Sequence, residues 1–349
     1  MVINRRTFVK LLGLGLSAPA LGFGKEQTEL FLPKTDPRRL MTKFCFGSCN
    51  KHHLPQDHLS AIASLDPDLF IWLGDNVYGD TYDMNLLQSK YQSLKSNSHF
   101  YNLYRTCPMI GTWDDHDFGK NNAGAEFLMK EMSQQHFLDF FDVPKDSPRR
   151  EQKGIYSSSV HGPAGQKVKF ILLDLRYHKE KKNKKTADML GQEQWTWLEN
   201  EIKNSDASFH IFCSSIGVLK GLPFVEDWSD YPRSYKRFMD LIDTYRPSGT
   251  FFISGDKHFG ARITNTYKGQ RYYEWMSSGM THSIRKPFIP VARFKYKKKN
   301  CYFEENFAQV LFDWEKSEPV MTTQILNPSK RVVLESRYQL SSGILRQIS

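Results

Sequence analysis

Four short polar clusters carry residue types that bind metal ions, and each cluster directly follows an apolar run of the chain. They are Gly47-Ser48-Cys49-Asn50, Gly74-Asp75-Asn76-Val77-Tyr78, Trp113-Asp114-Asp115-His116-Asp117 and Ser254-Gly255-Asp256-Lys257-His258. Carboxylates that are buried close together repel one another and titrate abnormally. A bound cation removes that repulsion, so this combination of thiol, carboxylate, phenol and imidazole groups predicts a metal site.

Taken one at a time, the clusters have simpler interpretations. Cys49 can be an inert buried thiol, and Asp75 can belong to an ordinary turn. The run Asp114–Asp117 can cap a helix, and His258 can be a hydrogen-bonded core residue. Together, the four clusters favour one shared site, because sites in α/β sheets form outside the carboxyl ends of the strands.

The elements that must position these clusters follow from the hydrophobic pattern, in which continuous apolar runs are typical of strands buried on both faces. Strands are predicted at 44–46, 69–73, 109–112, 168–175, 209–213 and 250–254, and strands of a meander at 271–276, 307–314 and 320–326. Helices are predicted over 58–65, 86–94, 125–141, 191–202 and 235–245, and the helical pattern stops after Gly260. No linker inside 41–340 separates two domains, so residues 41–349 are predicted to form one catalytic domain.

The N-terminus has the composition of an export signal. The residues Asn4-Arg5-Arg6-Thr7-Phe8-Val9-Lys10 precede an apolar, glycine-rich stretch over 11–23, in which Ala18-Pro19-Ala20 offers a cleavage site. This arrangement resembles a twin-arginine signal over residues 1–24 and predicts a periplasmic or secreted protein handed to the twin-arginine (Tat) export machinery. The alternative is a basic start to a short buried helix. Residues 25–40 are predicted to be a linker.

The composition excludes several classes of protein. The chain has 349 residues, of which 40% are hydrophobic and 25% charged, and a formal net charge of +10. These values exclude a disordered, collagen-like or low-complexity chain. The five cysteines are too few, and odd in number, for a disulfide-stapled scaffold. A mean hydropathy of −0.54 argues against a protein with many membrane spans.

The order of the four motifs resembles that of a known family. Gly-Ser-Cys-Asn, Gly-Asp-x-x-Tyr, Trp-Asp-Asp-His-Asp and Gly-Asp-x-His follow one another as in the PhoD-type alkaline phosphatase/phosphodiesterase family, which belongs to the calcineurin-like metallophosphoesterases. The resemblance covers residues 41 to 327 and includes Leu173-Asp174-Leu175-Arg176 and Gly191-Gln192-Glu193-Gln194-Trp195. It implies a four-layer α/β/β/α sandwich, in which two packed sheets have helices outside.

The resemblance also implies which residues hold metal ions. Asp75 would bridge two ions, one of them a trivalent iron (Fe3+). Cys49 and Tyr78 would bind the iron as anionic donors. Asp256 and His258 would complete the cage from the last strand.

On the same basis, Asp115 would bind the second ion, for which the family implies Ca2+ or another divalent ion. His116 would contact the phosphate and protonate the leaving group, and Asp117 would orient His116. From their position four and five residues after Asp117, Asn121 or Asn122 can hold a phosphate oxygen, and a loop turn is the alternative for this pair.

The chain departs from the superfamily pattern at two places. Ser48-Cys49-Asn50 stands where an Asp-x-His motif is usual on the first strand. Ser214-Ser215 stands where a metal-binding histidine usually follows a middle strand. A softer first site and a harder, oxygen-rich second site would accommodate both changes.

The function that follows is an exported metal-dependent phosphoester hydrolase, an alkaline phosphodiesterase or phosphatase that attacks phosphorus with a hydroxide activated by two metals. The substrate would be a small molecule, a phospholipid or an anionic polymer. The alternatives are a phosphomonoesterase of the same fold and a non-catalytic, exported anion-binding protein. No module for specific nucleic-acid binding is recognisable.

Two basic runs, 178–185 and 285–299, lie outside these motifs. They can steer an anionic polymer or a phospholipid surface toward the site, or they can be solvated loops that aid solubility.

Overall fold

The computed structural model of the protein describes residues 36–182, 186–219 and 225–349. Over these ranges its strands are β1 (Lys43–Gly47), β2 (Leu69–Leu73), β3 (Met109–Thr112), β4 (Ser157–His161), β5 (Val168–Leu172), β6 (Phe209–Ser214), β7 (Thr250–Ser254), β8 (Gly260–Tyr267), β9 (Gln270–Ser277), β10 (Cys301–Tyr302), β11 (Phe307–Asp313), β12 (Val320–Leu326), β13 (Val332–Ser341) and β14 (Ile344–Gln347). The helices are α1 (Asp57–Ser64), α2 (Met84–Lys95), α3 (Ser98–Thr106), α4 (Asp115–Phe118), α5 (Lys130–Phe140), α6 (Gly191–Lys203), α7 (Pro232–Tyr245) and α8 (Ile289–Tyr296).

Within the described residues, the strands form two seven-stranded sheets. The first has the order β14-β13-β12-β11-β1-β2-β3, and the second has the order β10-β8-β9-β7-β6-β5-β4. In the first sheet β1, β2 and β3 are parallel neighbours, and in the second β5, β6, β7 and β9 are parallel. Parallel strands bring their carboxyl ends to one edge, which is where the four polar clusters begin.

The alternation of side chains along each strand creates the layers. In β2, Leu69 and Ile71 face the second sheet, whereas Phe70 and Trp72 face helices on the other side. The described part of the chain has three apolar clusters of this kind: one between the two sheets, and one between each sheet and the helices that cover it. Three apolar interfaces require four layers, so the predicted α/β/β/α sandwich is confirmed.

Several predicted elements are corrected by the structure. Gln270–Ser277 pairs with β8 in the second sheet, so it is not part of the meander, which consists of β11 to β14 in the first sheet. The helical pattern does not stop after Gly260, because α8 follows. The helix predicted over 125–141 begins at Lys130, and the strand predicted over 168–175 ends at Leu172.

The predicted signal, 1–24, and the first part of the predicted linker, 25–35, lie outside the described residues. The described end of that linker touches the sandwich: the backbone N–H of Gly162 donates to Pro37 O at 2.7 Å, and Arg39 pairs with Asp68 at 3.2 Å. Among the helices of the described residues, none has the length and apolar character needed to cross a membrane.

Candidate metal centre

The carboxyl ends of β1, β2 and β7 meet at one place. Cys49 Sγ, after β1, lies 3.6 Å from Asp75 Oδ2 and 3.6 Å from the backbone oxygen of Asp256. This approach of the two sheets depends on Gly255, where a Cβ atom would lie 2.5 Å from Ser48 Oγ. Any larger residue at that position would push the end of β7 away from the first sheet.

Two groups of ligand atoms share one carboxylate. The first group consists of Cys49, Asp75 and His258, and the second of Asp75, Asp115 and His116, and in each group the ligand atoms all lie within 4.8 Å of one another. Asp75 belongs to both groups, which is the position that a carboxylate bridging two cations requires.

Tyr78 and Asp256 adjoin the first group. The hydroxyl of Tyr78 lies 3.3 Å from Nε2 of His258 and 3.2 Å from Nε2 of His282. Among the described residues, the buried Oδ2 of Asp256 has no hydrogen-bond partner. A buried carboxylate oxygen with no partner is costly, and a cation would satisfy it.

The backbone of this site is strained. Cys49, Asp75, Asp256 and His258 have φ angles of 61°, 51°, 76° and 58°, in the left-handed region that favours glycine. A residue with a side chain costs of order 1–3 kcal/mol in such a conformation, and residues of this kind concentrate at functional sites. The strain therefore marks the same residues that the motifs single out.

The electrostatics of the site favour bound cations. Burial is the largest cause that raises the pKa of Asp256 well above its usual value, and the neighbouring carboxylates of Asp114 and Asp115 raise it further. Burial likewise raises the pKa of the Cys49 thiol, and the negative charges of Asp75 and Asp256 raise it further. Positive ions would remove both the desolvation cost and the repulsion, so the donor set fits metal ions.

His116 is oriented by a residue that sequence reasoning missed. Its Nδ1 lies 2.7 Å from Oδ1 and 2.8 Å from Oδ2 of Asp80. Burial opposes the charged imidazolium, but the hydrogen bond to Asp80, together with the carboxylates of Asp75 and Asp115, raises the pKa of His116 to about 10.

The structure corrects the expectation that Asp117 orients His116. The Asp117 carboxylate instead accepts backbone N–H groups of Asp75 at 3.2 Å, of Asn76 at 3.1 Å and of Asp114 at 2.7 Å. The physical reason is its place in the first turn of α4, where it completes a capping box with Asp114. Asp117 thus joins the loop after β2 to the loop after β3 and holds Asp75 in place.

Asn122 lies beside the second group through its backbone. Its N–H donates to Oδ2 of Asp115 at 2.5 Å, and its carbonyl accepts from Nζ of Lys179 at 2.9 Å. The side chain of Asn122 is exposed. The structure therefore shows how Asn122 fixes the orientation of Asp115.

Ser215, at the position where a histidine is usual, supports a buried ion pair. The Ser215 hydroxyl donates to Oδ1 of Asp114 at 2.7 Å, and Nε of Arg176 donates to the same oxygen at 2.8 Å. Oδ2 of Asp114 is buried and has no hydrogen-bond partner among the described residues. Asp114 thereby adds the charge of a further buried carboxylate beside Asp115 of the second group.

The residues missed by sequence reasoning are Asp80, His282, Arg176 in its role beside Asp114, and Lys51. Nζ of Lys51 lies 5.4 Å from the centre of the Tyr78 ring. Burial is the largest cause that lowers the pKa of His258, and the positive charges of His116 and Lys51 lower it further. Asp80 is visible in the sequence as a second carboxylate of the loop after β2. The sequence does not show that Asp80 pairs with His116, which lies 36 positions away.

The comparison with protein families matches residues 44–283 to the family described as PhoD-like phosphatase. The chain belongs to the PhoD-like phosphatase family. This PhoD-like protein is 21% identical over 287 residues to alkaline phosphatase D of Bacillus subtilis (strain 168), a match that covers 67% of the chain and 48% of that relative. The chain therefore spans about half the length of the curated relative that it matches.

Solved structures support the fold. The structure of PhoD matches with a TM-score of 0.69 and 16% identity, covering 89% of this chain and 72% of that one. A dimetal phosphatase from Danio rerio matches with a TM-score of 0.53 and 12% identity, covering 86% of this chain and 100% of that one. GAP50, the anchor in the inner membrane complex of Plasmodium, matches with a TM-score of 0.54 and 11% identity, covering 87% and 90%.

Proposed function

We propose that this PhoD-like protein is a metal-dependent phosphoric ester hydrolase with phosphodiesterase activity, which the cell exports through the twin-arginine route. The observation that carries the proposal is the position of Asp75, whose carboxylate belongs to both groups of ligand atoms. Membership of the PhoD-like phosphatase family supports the same reaction class.

The donor types suggest which ion each group would hold. Cys49 and Tyr78, with Asp256 and His258, would hold Fe3+, because thiolate and phenolate are anionic donors suited to a trivalent ion. Asp75 and Asp115 would hold Ca2+ or another divalent ion, which prefers oxygen ligands. Two such ions, when bound, neutralise charge on a phosphoryl group and lower the pKa of water.

The other residues of the chain supply binding and a proton. Lys51 places an ammonium group near the Tyr78 ring and would attract an anionic ester toward the site. His116, held at Nδ1 by Asp80, would donate a proton from its second ring nitrogen to the oxygen of the leaving group, and Asp75 and Asp115 would remain as ligands of the second ion. The exposed side chain of Asn122 is available to hold a phosphate oxygen.

The test compares initial rates on a bis-aryl phosphodiester and an aryl phosphomonoester, together with metal analysis of the purified protein. Faster turnover of the diester supports the proposal, whereas faster turnover of the monoester identifies a phosphomonoesterase. The absence of turnover on both substrates with metal bound would leave an anion-binding protein and refute the proposal.

The His116→Ala variant tests the mechanism. We expect turnover to fall by on the order of 10²–10⁴-fold, the usual contribution of general acid–base catalysis. The loss should be smaller for nitrophenyl esters, whose leaving group needs less protonation. A loss of equal size for all leaving groups would assign His116 to phosphate binding or to a metal instead.

A further inference from the structure

The segment 285–299, here named the basic-aromatic rim, plays no part in the chemistry described above. Its fifteen positions include seven basic residues: Arg285, Lys286, Arg293, Lys295, Lys297, Lys298 and Lys299. No acidic residue occurs between Arg285 and Phe303. We propose that the basic-aromatic rim docks the protein on the surface of an anionic lipid bilayer, a property that goes beyond the proposed hydrolysis.

The apolar residues of the rim point outward. Phe294 is 90% exposed, and Phe288 and Val291 are also exposed. On the opposite side of α8, Ala292 and Tyr296 are buried in the core between the second sheet and its helices. A water-soluble protein gains nothing by exposing a phenylalanine this completely, and an exposed cluster of large apolar residues marks an interaction surface.

The combination of groups fits a bilayer better than a soluble polyanion. Lysines and arginines attract the charged headgroups of an anionic leaflet, and phenylalanine side chains enter the boundary between headgroups and acyl chains. A soluble polyanion would use the charges but would leave Phe288 and Phe294 in water. The α8 helix has eight residues, enough to lie along the interface and too few to cross it.

The rim lies next to the metal centre. At its start, the backbone N–H of Ile284 donates to His258 O at 2.6 Å. At the end of α8, the hydroxyl of Tyr296 lies 3.1 Å from Nζ of Lys257, and its ring packs 5.6 Å from that of Phe259. The residues on both sides of His258 therefore support α8, and a bilayer in contact with the rim would lie at the edge of the site.

The experiment measures co-sedimentation of the full chain with vesicles of equal parts phosphatidylglycerol and phosphatidylcholine, and with vesicles of phosphatidylcholine alone. The quantity compared is the difference in affinity between the two, because the apolar stretch at the N-terminus contributes to both. We expect tighter binding to the anionic vesicles, weakening as salt is added.

Two variants separate the apolar from the charged contribution. Phe288→Ser with Phe294→Ser should weaken binding to the anionic vesicles by about tenfold or more, because the side chains no longer leave water. Tyr101→Ser is the matched control, since Tyr101 is 49% exposed, close to the 51% of Phe288, and lies on α3. This control should leave the affinity unchanged.

The charge variant replaces Lys297, Lys298 and Lys299 by glutamine. We expect a loss of about 100-fold, since each lysine close to an anionic leaflet contributes a factor of about five. Its control replaces the exposed Lys145, Lys203 and Lys316 by glutamine, which changes the net charge equally. Melting temperatures of all variants show that each is folded.

Three results would overturn the proposal. The first is no preference for the anionic vesicles. The second is binding that the control lysine substitutions weaken as much as the rim substitutions do. The third is that the protein binds inorganic polyphosphate as tightly as it binds the vesicles, and that the phenylalanine substitutions do not change this binding. That result would identify a soluble polyanion as the partner. Loss of vesicle binding in both rim variants, with both controls unaffected, supports the proposal.

Discussion

Replacing Asp80 by asparagine tests the hydrogen bond that holds His116. Both carboxylate oxygens of Asp80 lie within 2.8 Å of His116 Nδ1. Asparagine keeps the size and one acceptor oxygen but removes the negative charge. The substitution therefore weakens the hydrogen bond between residue 80 and the His116 imidazole, which is to act as a proton donor, and it creates no cavity.

The structure sets the expected magnitude. A hydrogen bond to a charged group contributes about 1.5–3 kcal/mol, against about 1 kcal/mol for a neutral one. The Asp80 side chain is 44% exposed, so water screens part of the charge and the lower end applies. The difference from the neutral hydrogen bond that asparagine keeps is then about 0.5 kcal/mol, which corresponds to about a twofold fall in turnover.

The assay is the initial rate on two phosphodiesters, one with an alkyl and one with a nitrophenyl leaving group. We expect Asp80→Asn to lose about twofold on the alkyl ester and distinctly less on the nitrophenyl ester, whose leaving group needs little help from an acid. Asp83→Asn is the control, because Asp83 caps α2 through the N–H groups of Asn85 and Leu86, and asparagine caps equally well. Equal losses on both esters, or an equal loss in Asp83→Asn, would refute the reasoning.

Three further predictions concern other parts of the chain. Cys49→Ser should shift or bleach the visible absorption of the purified enzyme, lower its iron content and cut its activity, whereas Cys45→Ser should change only stability; a colourless, iron-free, active wild type would contradict the ferric assignment. Burial lowers the pKa of His58 from 6.5 to about 3, so the unfolded state binds the proton first as the pH falls below 6.5. In urea unfolding, the loss of stability between pH 7 and pH 5 should therefore be about 2 kcal/mol smaller in His58→Leu than in the wild type, to whose loss other histidines with a lowered pKa also contribute; an equal loss in both proteins would exclude His58 as a source. Arg5→Lys with Arg6→Lys should leave unprocessed precursor in the cytoplasm, as detected by fractionation, and normal export would contradict the twin-arginine reading.

The sequence allowed the prediction of those elements whose residues alone determine them. β2 and β7 are continuous apolar runs bounded by polar residues, and the structure has β2 at the predicted positions, 69–73, and β7 at 250–254. The clusters after β1, β2 and β3 lie together because parallel strands of one sheet must end at a common edge, and the packing of the second sheet brings the cluster after β7 to them. Both inferences use local pattern and one general rule of sheet geometry.

The features that were missed depend on contacts between distant parts of the chain. β8 has exposed polar residues over 264–266, so its pattern indicates no strand, and it forms because β9 pairs with it. α8 contains Pro290 in its first turn and many basic residues, and its buried side is defined only by the second sheet. The partner of His116 was missed for the same reason, since nothing in the spacing links it to Asp80.

The left-handed backbone at the candidate metal ligands has a consequence for protein engineering. At Asp75 and His258, glycine would relieve the unfavourable φ angle while deleting a ligand atom. A selection for thermal stability alone would accept such replacements, and each accepted change would dismantle the metal centre. Stabilised variants of this protein should accordingly be screened for metal content at every round, because in this region resistance to heat and the capacity to hold ions place opposite demands on the same residues.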